Sequence, residues 1–93
     1  MNIRVAVLGH SQVPLNFKFY KDIDVTIFQK PGALLKDIDT YPLKEIWQHE
    51  FDIIIVYLGG NDAVSNTTQY ITSKLIEIVE RCQRIARQVL IVK

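Results

Sequence analysis

Phe51-Asp52-Ile53-Ile54-Ile55-Val56-Tyr57-Leu58-Gly59-Gly60-Asn61-Asp62 is the stretch on which the fold turns. Ile53 to Leu58 is an unbroken apolar run rich in β-branched residues, and two glycines stop it. A run without polar alternation suits a strand covered on both faces, as in a parallel sheet. Three similar runs lie on either side of it. Ile3-Arg4-Val5-Ala6-Val7-Leu8 stops at Gly9, Val25-Thr26-Ile27-Phe28 is ended by Lys30-Pro31-Gly32, and Gln88-Val89-Leu90-Ile91-Val92 is the fourth.

The segments between these runs have helical patterns. From Thr67 to Arg87 the apolar residues Ile71, Leu75, Ile78, Val79, Cys82, Ile85 and Ala86 draw one stripe along a helix. Asn66 or Ser65 is expected to cap it, with Lys74, Glu77, Glu80, Arg81 and Arg84 facing water. Leu34 to Gln48 is helical in pattern but interrupted by Tyr41-Pro42, which predicts a break or two short helices. Val13 to Tyr20 predicts a turn or two beginning near Pro14. Alternating strands and helices joined by right-handed crossovers make a three-layer, flavodoxin-like α/β fold, with a parallel sheet in the order 2-1-3-4. Residues that carry chemistry are then expected beyond the carboxyl ends of the strands, at the switch between the first and third.

Composition narrows the function. With 93 residues the chain is one domain, and 48% hydrophobic with 23% charged residues is an ordinary globular balance. Eleven Lys and Arg against ten Asp and Glu leave a net charge of +1, so no strong field draws nucleic acid or an anionic membrane. The single cysteine, Cys82, excludes an internal disulfide and a four-thiolate zinc site. No apolar run has the length of a spanning helix, and Ile3 to Leu8 lacks the basic leader and cleavage site of a signal peptide, so a cytoplasmic location is expected. A P-loop, a dinucleotide fingerprint, the acidic pocket of a phosphate-accepting receiver and clusters with metal-ligand spacing are all missing. No cofactor or metal is expected.

Three small-residue clusters follow the strands: Gly9-His10-Ser11-Gln12, Pro31-Gly32-Ala33 and Gly59-Gly60-Asn61-Asp62. In the expected sheet a serine, a glycine amide and an asparagine amide converge on one crevice. A serine hydroxyl attacks a carbonyl once a base removes its proton, and the oxyanion that forms needs donors fixed beforehand. That combination points to acyl transfer.

In these clusters the chain resembles the SGNH hydrolases, also called the GDSL esterase/lipase family. The first block of the family, a strand followed by Gly-Asp-Ser, is similar to Val5-Ala6-Val7-Leu8-Gly9-His10-Ser11; its second block, a glycine after the second strand, fits Gly32; its third, Gly-x-Asn-Asp, is matched by Gly59-Gly60-Asn61-Asp62. The resemblance implies Ser11 as nucleophile and first oxyanion donor, Gly32 and Asn61 as the other donors, and a small-molecule ester or acyl compound as substrate. His10 stands where the family has an acidic residue. The family's Asp-x-x-His block beyond the fourth strand has no counterpart up to Lys93. The expectation is therefore an incomplete domain whose Asp and His come from a further segment or another chain, or a module that has lost them and binds a ligand or partner. In either case residues 1–93 alone are expected to hydrolyse activated esters weakly or not at all.

Each of these residues also has a plainer reading. Ser11 can cap a helix, Gly32 after Pro31 suits a turn, and Asn61-Asp62 can cap the last helix. His10, adjacent to Ser11 on a chain leaving a strand, points away from it, and His49 precedes the third strand and faces solvent. Cys82, Trp47, Phe17, Phe19, Tyr20 and Tyr57 read as packing residues. Val89 to Val92 forms an exposed apolar edge guarded only by Arg87 and Lys93, so self-association or partner docking is expected there or on the adjoining helix face.

Overall fold

The first run becomes strand β1, Ile3–Gly9, and the others become β2, Ile23–Gln29, β3, Phe51–Tyr57, and β4, Ala86–Ile91. A computed structural model of the chain describes residues 2–9 and 22–92. The strands pair in the order β2-β1-β3-β4, every pair parallel, as the run pattern predicts. Val7 lies between Ile27 and Ile55, and Leu8 between Phe28 and Val56. β1 is covered on both faces: Ala6 and Leu8 are buried on one side, Val5 and Val7 on the other. β2 is an edge. Its exposed Asp24 and Thr26 alternate with half-buried Val25 and Ile27, so it shows the period of a half-covered strand.

The Ala6, Leu8, Ile54 and Val56 face is the main core. The segment from Leu34 to Gln48 covers it as two short 3-10 helices, Leu35–Asp39 and Leu43–Gln48, separated by a cis Tyr41–Pro42 peptide. They bury Leu35, Ile38, Leu43 and Ile46 against the sheet. Beside them lies helix α1, Thr68–Cys82, with Ile78 and Cys82 buried and Ile71 and Leu75 packed on the same cluster.

α1 is shorter than its stripe predicts. The amide of Phe51 takes the carbonyl of Ile85 at 2.8 Å, and Ala86 pairs with Phe51, so Ile85 and Ala86 serve the sheet rather than a further helical turn. Its cap is Thr67, whose side chain accepts from the Tyr70 amide at 3.1 Å, and not Asn66 or Ser65. Asn66 is turned instead to the Asp62 carboxylate, 3.4 Å away. Arg81 also departs from expectation. It lies over the Trp47 ring, 4.1 Å from its centre, and pairs with Asp39 at 2.9 Å. Trp47 in turn donates its indole N–H to the Ile38 carbonyl at 3.1 Å, so one cluster ties α1 to both 3-10 helices. The segment expected to turn near Pro14, with Phe17, Phe19 and Tyr20, lies outside the described residues.

Candidate functional site

Register puts Gly9, Gln29 and Tyr57 level at the carboxyl ends of β1, β2 and β3. The chain leaving β2 turns at once. Lys30 donates its amide to the Gly9 carbonyl at 3.1 Å, and the Ala33 amide returns to the Lys30 carbonyl at 3.1 Å. That closes a four-residue turn with Pro31 and Gly32 at its centre. Proline supplies the fixed φ of the first central position, and Gly32, at φ +71°, supplies the left-handed second one. Among the described residues a β-carbon on Gly32 would meet no atom within 4 Å. Its conformation, at a positive φ, demands the glycine.

The chain leaving β3 turns at Gly59, whose φ of +106° only glycine holds without strain. The turn delivers Asn61 and Asp62 to the loop after β2. The Asn61 side-chain amide donates to the Ala33 carbonyl at 3.2 Å, and the Asp62 carboxylate accepts from the Leu35 amide at 2.9 Å. β2 and β3 flank β1, so these two loops meet across the carboxyl end of β1. An amide group carries two N–H bonds. Ala33 takes one from Asn61, an exposed residue, and among the described residues no partner takes the second.

Gly32 and Asn61 thus stand beside one another, one residue from direct contact. Ser11 and His10 lie outside the described residues, two and one positions beyond Gly9. His49 precedes β3, exposed, with its ring 6.4 Å from Phe28 and 6.2 Å from Phe51. The carboxylates near the strand ends are engaged. Asp62, 1% exposed, serves Leu35 and Asn66, and Asp37 accepts from the Leu34 amide at 2.8 Å and pairs with Lys30 at 3.5 Å.

Asp62 and Ala33 belong to the clusters after the strands, but the sequence gives neither a role at the site. Asp62 does not cap α1. It holds the two loops together from inside, and its partner lies 27 positions away, a distance no local pattern encodes. Cys82 is fully buried, and burial pushes its thiol up to about 11, against a smaller opposite pull from Arg81. It is a core residue, not a nucleophile.

A second feature adjoins the site. Tyr57, Gly59 and Gly60 open into an apolar groove of about 860 Å³ between α1 and the end of β4, floored by Ile71, Leu75 and Val79. Among the described residues no three His, Cys, Asp or Glu side chains are placed to share a metal ion, and no helix is long and apolar enough to cross a membrane. No protein-family model, curated protein or solved structure matches the chain.

Proposed function

We propose that the chain is the oxyanion-binding part of an SGNH-type ester or acyl hydrolase, with Ser11 as nucleophile and Gly32 and Asn61 as donors. The observation that carries this reading is the Asn61 amide seated on the Ala33 carbonyl, which holds an asparagine donor beside the Gly32 turn that follows β2. Ser11 follows Gly9 by two peptide units, a reach of at most roughly 7 Å from that end. In the reaction the Ser11 oxygen bonds to the substrate carbonyl carbon and gives up its proton to a base. The carbonyl electrons move to oxygen, where the backbone N–H of Gly32 and the second N–H of Asn61 receive the charge. Collapse expels the alcohol, which takes the proton, and water then releases the acyl group. A preset donor of this kind is commonly worth ~2.7–4 kcal/mol in the transition state.

A second reading, a binding module without turnover, draws on the engaged carboxylates. Asp62 and Asp37 are committed to backbone amides, so neither is free to orient a base. Free imidazole supplied as the base separates the two. Hydrolysis of 4-nitrophenyl acetate is expected to be slow in buffer and to rise with imidazole above the reagent's own rate. Ser11→Ala should abolish that increment, and Asn61→Ala should lower it by on the order of 10²-fold. An increment indifferent to Ser11→Ala would contradict the hydrolase, and folded protein with no increment at all would favour the binding module.

A further inference from the structure

Asn61 is exposed at the rim of the site, and one N–H of its side chain rests on the Ala33 carbonyl at 3.2 Å. A single neutral hydrogen bond is a weak hold on an exposed side chain. A preset donor has to stay within ~0.5 Å of its working position. The next residue is built differently. Asp62 is 1% exposed, and its carboxylate accepts from the Leu35 amide at 2.9 Å and from the Asn66 side-chain amide at 3.4 Å. Its own carbonyl takes the amides of Ser65 and Asn66 at 3.2 and 2.9 Å, which closes the 3-10 turn Asp62–Val64. The loops after β2 and β3 are therefore joined through adjacent residues. Asn61 donates to Ala33, and Asp62 accepts from Leu35, two residues further along. One contact would fix a distance; the pair fixes an orientation as well.

We infer that Asp62 is a positioning residue: it sets the loop after β3 against the loop after β2 and so keeps the Asn61 amide at the Gly32 turn. The chemistry of the side chain suits this role. Both carboxylate oxygens are in use, on one donor from each loop. A neutral amide of the same size has one acceptor oxygen in place of two. Burying a carboxylate opposes folding unless it is paired or hydrogen-bonded, and no Lys or Arg pairs with Asp62 among the described residues. The hydrogen bonds to the two loops are what hold it inside. The effect of Asp62 on turnover rests on the hydrolase reading; its effect on the place of Asn61 does not.

Nuclear Overhauser spectra of the isotope-labelled full chain give the first test. The Asn61 side-chain amide should show its cross-peak to Ala33 in the parent and in Asp62→Asn, which keeps an acceptor for Leu35. Asp62→Ala has none and should lose that cross-peak while the core signals of Leu8, Ile54 and Val56 keep their dispersion. If the alanine variant does not fold, Asp62→Ser, whose hydroxyl stops short of Leu35, takes its place with the same expectation.

Imidazole-assisted hydrolysis of 4-nitrophenyl acetate supplies the second readout. Asp62→Ala should cut kcat roughly tenfold or more, since misplacing a reacting contact by ~1 Å costs up to ~10²-fold, and leave KM near the parent value. In an Asn61→Ala background the same substitution should change the rate by less than about twofold, because its effect passes through Asn61. A folded Asp62→Ala that keeps the Asn61–Ala33 cross-peak, or that slows the Asn61→Ala variant as much as the parent, overturns the inference. A lost cross-peak in a chain whose parent shows no imidazole increment supports the positioning role and counts against the hydrolase reading alone.

Discussion

Asp62 carries a carboxylate to a position 1% exposed, and two hydrogen bonds hold it there, from Leu35 at 2.9 Å and Asn66 at 3.4 Å. Its neighbour Asn61 reaches the same loop through Ala33. Together the pair bolts the turn after β3 to the turn after β2. Truncating Asp62 would strand the buried Leu35 amide, and a lost hydrogen bond to a charged acceptor costs ~1.5–3 kcal/mol. Asp62→Ala is therefore expected to lower unfolding stability in urea by about 2–3 kcal/mol, and Asp62→Asn, which keeps an acceptor oxygen, by about half as much. An alanine variant as stable as the parent would show that the loops are held by something else. At this scale the sequence was half legible. Gly32 after Pro31 announced its turn, because only a glycine suits the left-handed second position. Asn61 stood out as a polar residue at a strand end. That one of its N–H bonds would be spent on Ala33 was hidden, since the contact spans 28 positions.

Among the elements, α1 shows where local pattern yields to tertiary pairing. The apolar stripe runs on through Ile85 and Ala86, yet the helix stops at Cys82 because β3 claims the Ile85 carbonyl. The break at Tyr41-Pro42 was legible from proline alone, whereas the 3-10 character of the two flanking helices was not. Inside α1, Cys82 makes the helix sensitive to alkali. Burial raises its thiol from 9.0 to about 11, so the folded state keeps a proton that the unfolded chain loses near 9.0. The stabilisation linked to that proton is complete below pH 9.0 and is lost as pH climbs from 9.0 to about 11. The slope for one group is at most ~1.4 kcal/mol per pH unit. Urea unfolding followed across this window should show a steeper loss for the parent chain than for Cys82→Ala, whose starting stability is lower but which has no thiol to titrate. Parallel curves for the two would mean that the buried thiol is not linked to folding.

For the whole molecule, the parallel sheet and its 2-1-3-4 order were readable because each strand is a bounded apolar run and crossovers between parallel strands take one hand. The same topology makes the site: strands β2 and β3 lie on either side of β1, so the loops that follow them must meet over its end. The sequence resemblance adds the serine, and with it the claim that three loops serve one carbonyl. That claim depends on Ser11 reaching the Asn61 amide, and a nuclear Overhauser experiment on the folded, isotope-labelled chain reads this contact directly. The side-chain amide protons of Asn61 should show cross-peaks both to Ala33 and to the β-protons of Ser11; cross-peaks to Ala33 alone, with none between Asn61 and Ser11, would contradict the account.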